Sequence, residues 1–233
     1  MTVCFAFCGQ KGGTGKTTCA ISTAAELVAR GGRVLLVDAD PQGSTSAWAA
    51  LAAETGRPAP STVAMGATLH KPGQLDAVAK GFDAVVIDCP PHNGEIMRAA
   101  LMVADVVVLP CGASPLDAWA LASTLELVSQ ARGLRPSLKV AAVVNRKPAR
   151  AAIGAHAREV LAGAGLAVLA AELHQRVAYV ECMAAGLGPA QYAPGSPTAD
   201  EVRALVSEIE QFHATGATGE IHNGEANVGN AAA

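Results

Sequence analysis

Residues 9–18 read Gly9-Gln10-Lys11-Gly12-Gly13-Thr14-Gly15-Lys16-Thr17-Thr18. The run follows a short apolar segment, Thr2–Phe7, and opens a stretch of helical periodicity, Lys16–Arg30, which Gly31-Gly32 stops. Ala20, Ile21, Ala24, Leu27 and Val28 supply that periodicity. Strand, glycine loop and helix N-terminus, in that order, let backbone N–H groups converge on an anion. Gly12, Gly13 and Gly15, with Thr14 between them and Thr18 beyond, form the expected cradle. Lys16 is spaced to reach the β- and γ-phosphates of a polyphosphate, and the Thr17 hydroxyl to ligate Mg²⁺.

Outward from the loop, Arg33–Val37, Ala84–Ile87, Val106–Leu109 and Val140–Val144 are continuous apolar runs rich in β-branched residues. Such runs mark strands of a parallel sheet covered on both faces. Helical patterns fall between them at Ser44–Ala53, Glu95–Val103, Ser114–Arg132 and Pro148–Gly163. The alternation predicts an α/β fold: one domain over residues 1–213, with a doubly wound, mostly parallel sheet and helices on both faces. Ser114-Pro115-Leu116-Asp117 reads as one helix start, and Thr198-Ala199-Asp200-Glu201 as a capping box opening a last helix, Glu201–His213. Residues 214–233 shift to Ala, Gly, Asn, Thr and Glu without periodicity, and a disordered polar tail is expected there.

The chain has 233 residues, enough for one such domain with a sizeable core, and 51% hydrophobic content excludes global disorder. A net charge of −3 excludes a generally basic coat for nucleic acid, though not a local basic patch. No apolar run reaches the length of a membrane span, and no secretory leader is read at the start; a cytoplasmic protein is expected. Cys4, Cys8, Cys19, Cys89, Cys111 and Cys182 show no CxxC pair or zinc spacing, so buried thiols in a reducing compartment are expected.

A nucleotide site also needs carboxylates for Mg²⁺ and for the attacking water. Asp38 and Asp40 follow the second expected strand in Val37-Asp38-Ala39-Asp40-Pro41-Gln42, and Asp88 follows the third. Carboxyl ends of parallel strands are where such sheets bind ligands.

The strict pattern G-x-x-x-x-G-K-[ST] fails at Gln10, and a second lysine, Lys11, lies inside the loop. The run K-G-G-x-G-K-T-T resembles the deviant Walker A motif of the ParA/MinD superfamily, and the likeness covers about residues 1–212. Leu109-Pro110 with Ser114–Asp117, and Gln175-Arg176-Val177-Ala178-Tyr179 followed by Gly186, resemble the short ParA-type partition ATPases in particular. The resemblance implies a P-loop ATP hydrolase with ATP and Mg²⁺ as cofactors. Lys11 would cross an ATP-dependent sandwich homodimer to the partner's phosphates, in the manner of an arginine finger worth roughly 10³–10⁵ in rate. Lys16 and Asp40 would serve catalysis, Asp40 by positioning the water. Thr17, Asp38 and Asp88 would serve the metal. Asn145 and Arg146, after the fifth expected strand, would lie on the adenine side, with Pro194 walling the base. Cys89 follows Asp88 where a catalytic glutamate could stand, which implies weak turnover stimulated by a partner.

The same resemblance implies non-specific binding of double-stranded DNA, a ParB-like or other cargo adaptor, and a nucleoid-associated role. The dimer would position a plasmid, a chromosome region or a protein complex such as a carboxysome or chemoreceptor cluster. Between Glu126 and Glu159 there is no acid, and Arg132, Arg135, Lys139, Lys147, Arg150 and Arg158 are the candidate DNA contacts; Arg146 fits either the DNA or the nucleotide. Three relatives stay open as alternatives. A MinD-like ATPase would need a basic amphipathic end for the membrane, whereas Glu201, Glu208 and Glu210 make the last helix acidic. A nitrogenase-reductase-like protein would use Cys89 and Cys111, read here as ending adjacent strands. A dethiobiotin-synthetase-like enzyme would share the fold but not the paired lysines.

Overall fold

The computed structural model describes residues 2–114, 117, 121–148 and 153–217. Its elements are β1 (Val3–Phe7), α1 (Lys16–Ala29), β2 (Val34–Asp38), α2 (Ser44–Glu54), β3 (Ser61–Ala64), α3 (Leu75–Val78), β4 (Ala84–Asp88) and α4 (Gly94–Val103). There follow β5 (Val106–Gly112), α5 (Ala122–Leu134), β6 (Lys139–Lys147), α6 (Ile153–Gly163), β7 (Ala167–His174), α7 (Val177–Ala184), α8 (Pro189–Tyr192) and α9 (Pro197–Thr215). The strands form one sheet in the order β3-β2-β4-β1-β5-β6-β7, and every pairing is parallel.

The pleat divides the core between the two faces. Cys4 and Ala6 of β1, and Cys8 just after it, enter one cluster with Met97 and Leu101 of α4 and Leu127 of α5. Phe5 and Phe7 enter the other, with Ile21 of α1, Trp48 of α2 and Leu205 and Phe212 of α9. Ile87, Leu101, Leu109 and Leu205 are fully buried, and truncating any one to alanine would cost about 2–5 kcal/mol. The chain winds from β1 out to β3, returns to β4, and crosses β1 to reach β5. That reversal puts the loop after β1 at the ligand-binding crevice of an open α/β sheet.

Two strands lie outside the expected set, and both are edges. β3 has four half-exposed or exposed residues behind Pro58 and Pro60, too short for a periodic signal. β7 mixes alanines with Glu172 and pairs with β6 through register shifts. The extra β3 makes Asp88 the end of the fourth strand, and Asn145 and Arg146 lie within the sixth rather than after the fifth. Cys89 and Cys111 do not end adjacent strands, because β1 runs between β4 and β5. Cys89 instead meets Cys8, Sγ to Sγ 3.3 Å, and all six cysteines are free and buried.

The helix start expected at Ser114–Asp117 falls partly outside the described residues; Asp117 is helical, and α5 is described from Ala122. The start of the last helix moves. α9 begins four residues before the expected start, at Pro197: Ser196 is its N-cap, its Oγ accepting from Ala199 N at 3.2 Å. Thr198-Ala199-Asp200-Glu201 is therefore helix interior, which frees Glu201 for another role. α9 ends at Gly216 in the left-handed conformation, and the rest of the expected tail, 218–233, lies outside the described residues.

Candidate functional site

The β-sheet register brings the site together. Phe7 pairs with Asp88, and Asp88 with Asp38, so the glycine loop, Asp88 and Asp38 leave three neighbouring strands side by side. Gly15 is the N-cap of α1 at φ 89°, and no side chain caps this helix. Its first N–H groups are thus left to an outside acceptor. β6 secures the loop from beyond: Asn145 Nδ2 donates to Thr14 O at 2.7 Å and Arg146 Nη1 to Gly13 O at 2.8 Å. Arg146 adopts φ 54° to do so, a left-handed conformation for a bulky residue.

The two loop lysines have different settings. Lys16 is buried, and its Nζ donates to Lys11 O at 2.8 Å. Burial lowers its pKa, with Asp88 the main opposing charge. Lys11 has a half-exposed side chain and ion-pairs with Asp117. Gln10 ties the loop to two further elements: its N–H donates to Thr124 Oγ1 at 3.1 Å, and its carbonyl accepts from His92 N at 3.0 Å.

The three carboxylates differ as much. Asp38 is spoken for: Oδ2 accepts from Ser46 N (2.7 Å) and Ser46 Oγ (2.6 Å), and Oδ1 from Asp40 N (3.2 Å). Asp40 is half-buried and forms an Asx turn, Oδ1 accepting from Gln42 N at 2.9 Å. Asp88 is fully buried; Thr45 Oγ1 donates to its Oδ2 at 2.8 Å, and its Oδ1 has no partner. Burial pushes the Asp88 carboxyl up to about 6 against the pull of the Thr45 and Thr17 hydroxyls.

Asp88 Oδ1 and Thr14 Oγ1 are buried without a hydrogen-bond partner among the described residues, as are Ser22 Oγ, Thr23 Oγ1 and Trp48 Nε1, but these two sit at the glycine loop and the strand end beside it. Among the described residues, no group of three His, Cys, Asp or Glu could hold a metal unaided. A divalent cation here would depend on phosphate oxygens and water beside Thr17 and Asp88, the manner in which Mg²⁺ is held. The residues present fit Mg²⁺ with a nucleotide.

Two cavities flank the loop. One of about 460 Å³ is lined by Lys11–Thr14, Gly112–Ser114, Asp117, Arg146, Pro148 and Gln175. The other, about 650 Å³, opens beside Gly15 and Thr18 and is lined by Asn145, Arg146, Pro148 and residues 174–177, 179 and 180. Pro194 lines neither; it lies in the exposed turn between α8 and α9.

Among the described residues, the basic candidates are spread over different parts of the fold. Arg135 donates to Leu101 O (3.0 Å) and Ala104 O (2.8 Å) at the end of α4, and Lys139 donates to His213 O near the end of α9. Lys147 pairs with Glu172, and Arg158 donates to Leu169 O at 2.7 Å with Glu172 also in range. Lys139 opens β6 and Lys147 closes it, so they stand at opposite ends of the sheet. Arg132 is exposed, and Arg150 lies outside the described residues.

Sequence reasoning missed Thr45, Ser46, Asp117 as the partner of Lys11, and Thr124. The dipeptide Thr45-Ser46 after Gly43 is a helix-start signal, but nothing local to it points to Asp88 or Asp38. The acids on α9 are also used internally: Glu208 accepts from Ala170 N (2.6 Å) and Ala171 N (2.7 Å), and Glu210 pairs with Arg30. Among the described residues, no helix is long and apolar enough to cross a membrane.

Known proteins resemble this chain in sequence and in fold. Residues 5–190 match the CobQ/CobB/MinD/ParA nucleotide binding domain. The maintenance of carboxysome distribution protein A of Halothiobacillus neapolitanus is 34% identical over 85% of this chain and 92% of its own length. The chromosome-partitioning ATPase Soj of Thermus thermophilus is 32% identical over 88% and 94%. In fold, apo McdA of Cyanothece superposes with a TM-score of 0.72 at 20% identity, covering 90% of this chain and all of that one. Cobyrinic acid a,c-diamide synthase of Mycobacterium smegmatis, with bound ATP analog and magnesium, gives 0.71 at 23% identity over 93% and 97%. Loop, strand-end carboxylates and an all-parallel sheet over the matched length lead to one assignment: the chain belongs to the CobQ/CobB/MinD/ParA nucleotide-binding family.

Proposed function

We propose that this protein is a ParA-type ATP hydrolase that positions a cargo through an ATP-dependent dimer. The observation that carries the reading is the division between its loop lysines. Lys16 is buried at the start of α1, suited to the phosphates of its own chain. Lys11 stands half-exposed in the same loop, ion-paired with Asp117, suited to the nucleotide of a second copy.

In this reading the N–H groups of the loop and Lys16 bind the phosphates, and the lowered pKa of Lys16 is restored by their charge. Thr17 and Asp88 would hold Mg²⁺, Asp88 with its Oδ1 free of other hydrogen bonds. Bound there, Mg²⁺ would supply charge neutralisation to the phosphates. Asp40, fixed by its own Asx turn, orients the attacking water, and Lys11 from the partner offsets charge on the transferred phosphoryl. Asp38 orders the start of α2 through Ser46 instead of touching the metal directly. The dimer binds double-stranded DNA without sequence preference, and an adaptor on the cargo stimulates hydrolysis and release. The named partition and carboxysome-distribution relatives support a cargo of that general kind.

The test is ATP turnover and sedimentation of the full chain with ATP, ADP or no nucleotide, with and without unrelated duplex DNA, for the native protein and Lys11→Ala. ATP-dependent self-association and DNA retention, both lost in the variant, are expected. Turnover that requires a small-molecule acceptor and ignores DNA would overturn the reading in favour of a metabolic enzyme on the same fold.

A further inference from the structure

We propose that Glu201 is a positioning residue that sets the wall of the 650 Å³ cavity and thereby the discrimination between nucleotide bases. The proposal rests on the nucleotide reading above, with the base seated in this cavity beside Gly15 and Thr18.

Glu201 lies in the second turn of α9, behind the cavity wall, with its side chain only 11% exposed. Both oxygens are saturated. Oε1 accepts from Arg176 Nε (2.8 Å), Arg176 Nη2 (2.6 Å) and His174 Nδ1 (2.9 Å). Oε2 accepts from His174 N (3.1 Å) and Tyr179 Oη (3.2 Å). All three donor residues line the cavity. One carboxylate therefore holds the whole turn from β7 into α7.

Gln175 N also donates to Lys147 O at 2.9 Å, and among the described residues the turn has few other polar ties. α7 has eight residues, and its N-cap, Arg176, makes no side-chain cap. Val177 and Val180 are 72% and 70% exposed, so this face of α7 buries almost nothing in the chain itself. Both valines line the cavity, and together with Pro148 they offer an apolar surface of the kind a flat base covers. Tyr179 and Cys182 bury the opposite face of α7, so the two valines are placed by that burial together with the hydrogen bonds of Glu201. A network of this kind specifies one geometry when every member is satisfied and loosens when one is removed. The wall is distant in sequence from the phosphate loop, whose carbonyls are held by Asn145 and Arg146 and not by Glu201. Base recognition and phosphate binding are therefore separable.

The experiment is calorimetric titration of the full-length protein with ATP, GTP and inorganic tripolyphosphate, each with Mg²⁺, for the native chain, Glu201→Gln and Tyr179→Phe. Glu201→Gln is expected to weaken ATP about tenfold, narrow the ratio between ATP and GTP at least threefold, and leave tripolyphosphate unchanged. Tyr179→Phe, which removes one donor and keeps the ring, is expected to weaken ATP two- to threefold, and it carries the test alone if Glu201→Gln fails to fold. Equal losses for ATP and tripolyphosphate, or unchanged ATP binding, would overturn the proposal. A native chain that binds tripolyphosphate but neither nucleotide would instead overturn the placement of the base on which it rests.

Discussion

Lys11 and Asp117, 106 residues apart in sequence, form an ion pair that ties the phosphate loop to the segment following β5. Asp117 is held close over Gly112, where a Cβ would meet its Oδ2 at 2.1 Å. The side chains of Lys11 and Asp117 are 41% and 21% exposed, and solvent screening limits such a pair to roughly 0–1 kcal/mol. In the proposed reading, a pair this weak would yield readily to a more highly charged phosphate.

Asp117→Asn should therefore release Lys11. ATP-dependent self-association is expected at about threefold to fivefold lower protein concentration, the equivalent of under about 1 kcal/mol. The thermal midpoint should move by less than about 4 °C. Sedimentation equilibrium with ATP, beside a melting curve without it, checks both. Weaker self-association in Asp117→Asn would mean that the pair belongs to the dimer-competent state.

Asp88 should make stability depend on pH. Its carboxyl is pushed up to about 6 in the folded chain, against about 3.9 in the unfolded one. Between these values the folded state binds more protons, so stability is full at lower pH and falls as pH rises through 4 to 6. The loss is on the order of 3 kcal/mol at most. In Mg²⁺-free buffer, denaturant unfolding of native protein and Asp88→Asn should diverge across that window, with the variant flatter and more stable at pH 7. The same variant should lose Mg²⁺-dependent turnover.

Gly15→Ala should damage the loop twice over. The position has φ 89°, and an added Cβ would fall 2.2 Å from Asn145 Nδ2, the group that bonds Thr14 O. We expect a stability loss of about 1–3 kcal/mol from left-handed strain and the broken bond, and no detectable ATP binding. Gly13→Ala has the strain, at φ 74°, without the clash, and should keep more of both. Urea unfolding and ATP titration of the two variants separate these terms.

Charge substitutions should sort the basic residues. Arg135→Ala leaves two helix-end carbonyls without their donor, and should cost about 1–3 kcal/mol of stability with little change in DNA retention. Arg132→Ala should leave stability unchanged and lower the slope of log affinity against log salt by about 1. Filter binding of duplex DNA over a salt series reads the slope. The opposite pattern would assign DNA contact to the sheet's amino edge.

Much of this protein is legible along the chain. The order of Gly12, Gly13, Gly15, Lys16 and Thr17 between an apolar run and a helical one is a local property, because a phosphate loop is built from consecutive backbone N–H groups. The buried strands β1, β2, β4, β5 and β6 are continuous runs whose burial on both faces leaves a compositional mark. Asp38, Asp40 and Asp88 were readable because they end such runs.

What depended on tertiary structure was every pairing between distant segments. Whether Asp38 or Asp88 keeps an open oxygen depends on Ser46 and Thr45, which α2 delivers from its first turn. The acid-free stretch around Lys147 looks like a basic surface in sequence, yet Glu172 on the neighbouring strand pairs with it. Glu201 reads as a local cap, but Ser196 takes that role and the carboxylate turns to β7 and α7 instead. A backbone motif acts on its own neighbours and so is written in order. A side-chain charge acts on whatever the fold brings within about 3 Å, and that neighbour is chosen by the packing of the two sheet faces.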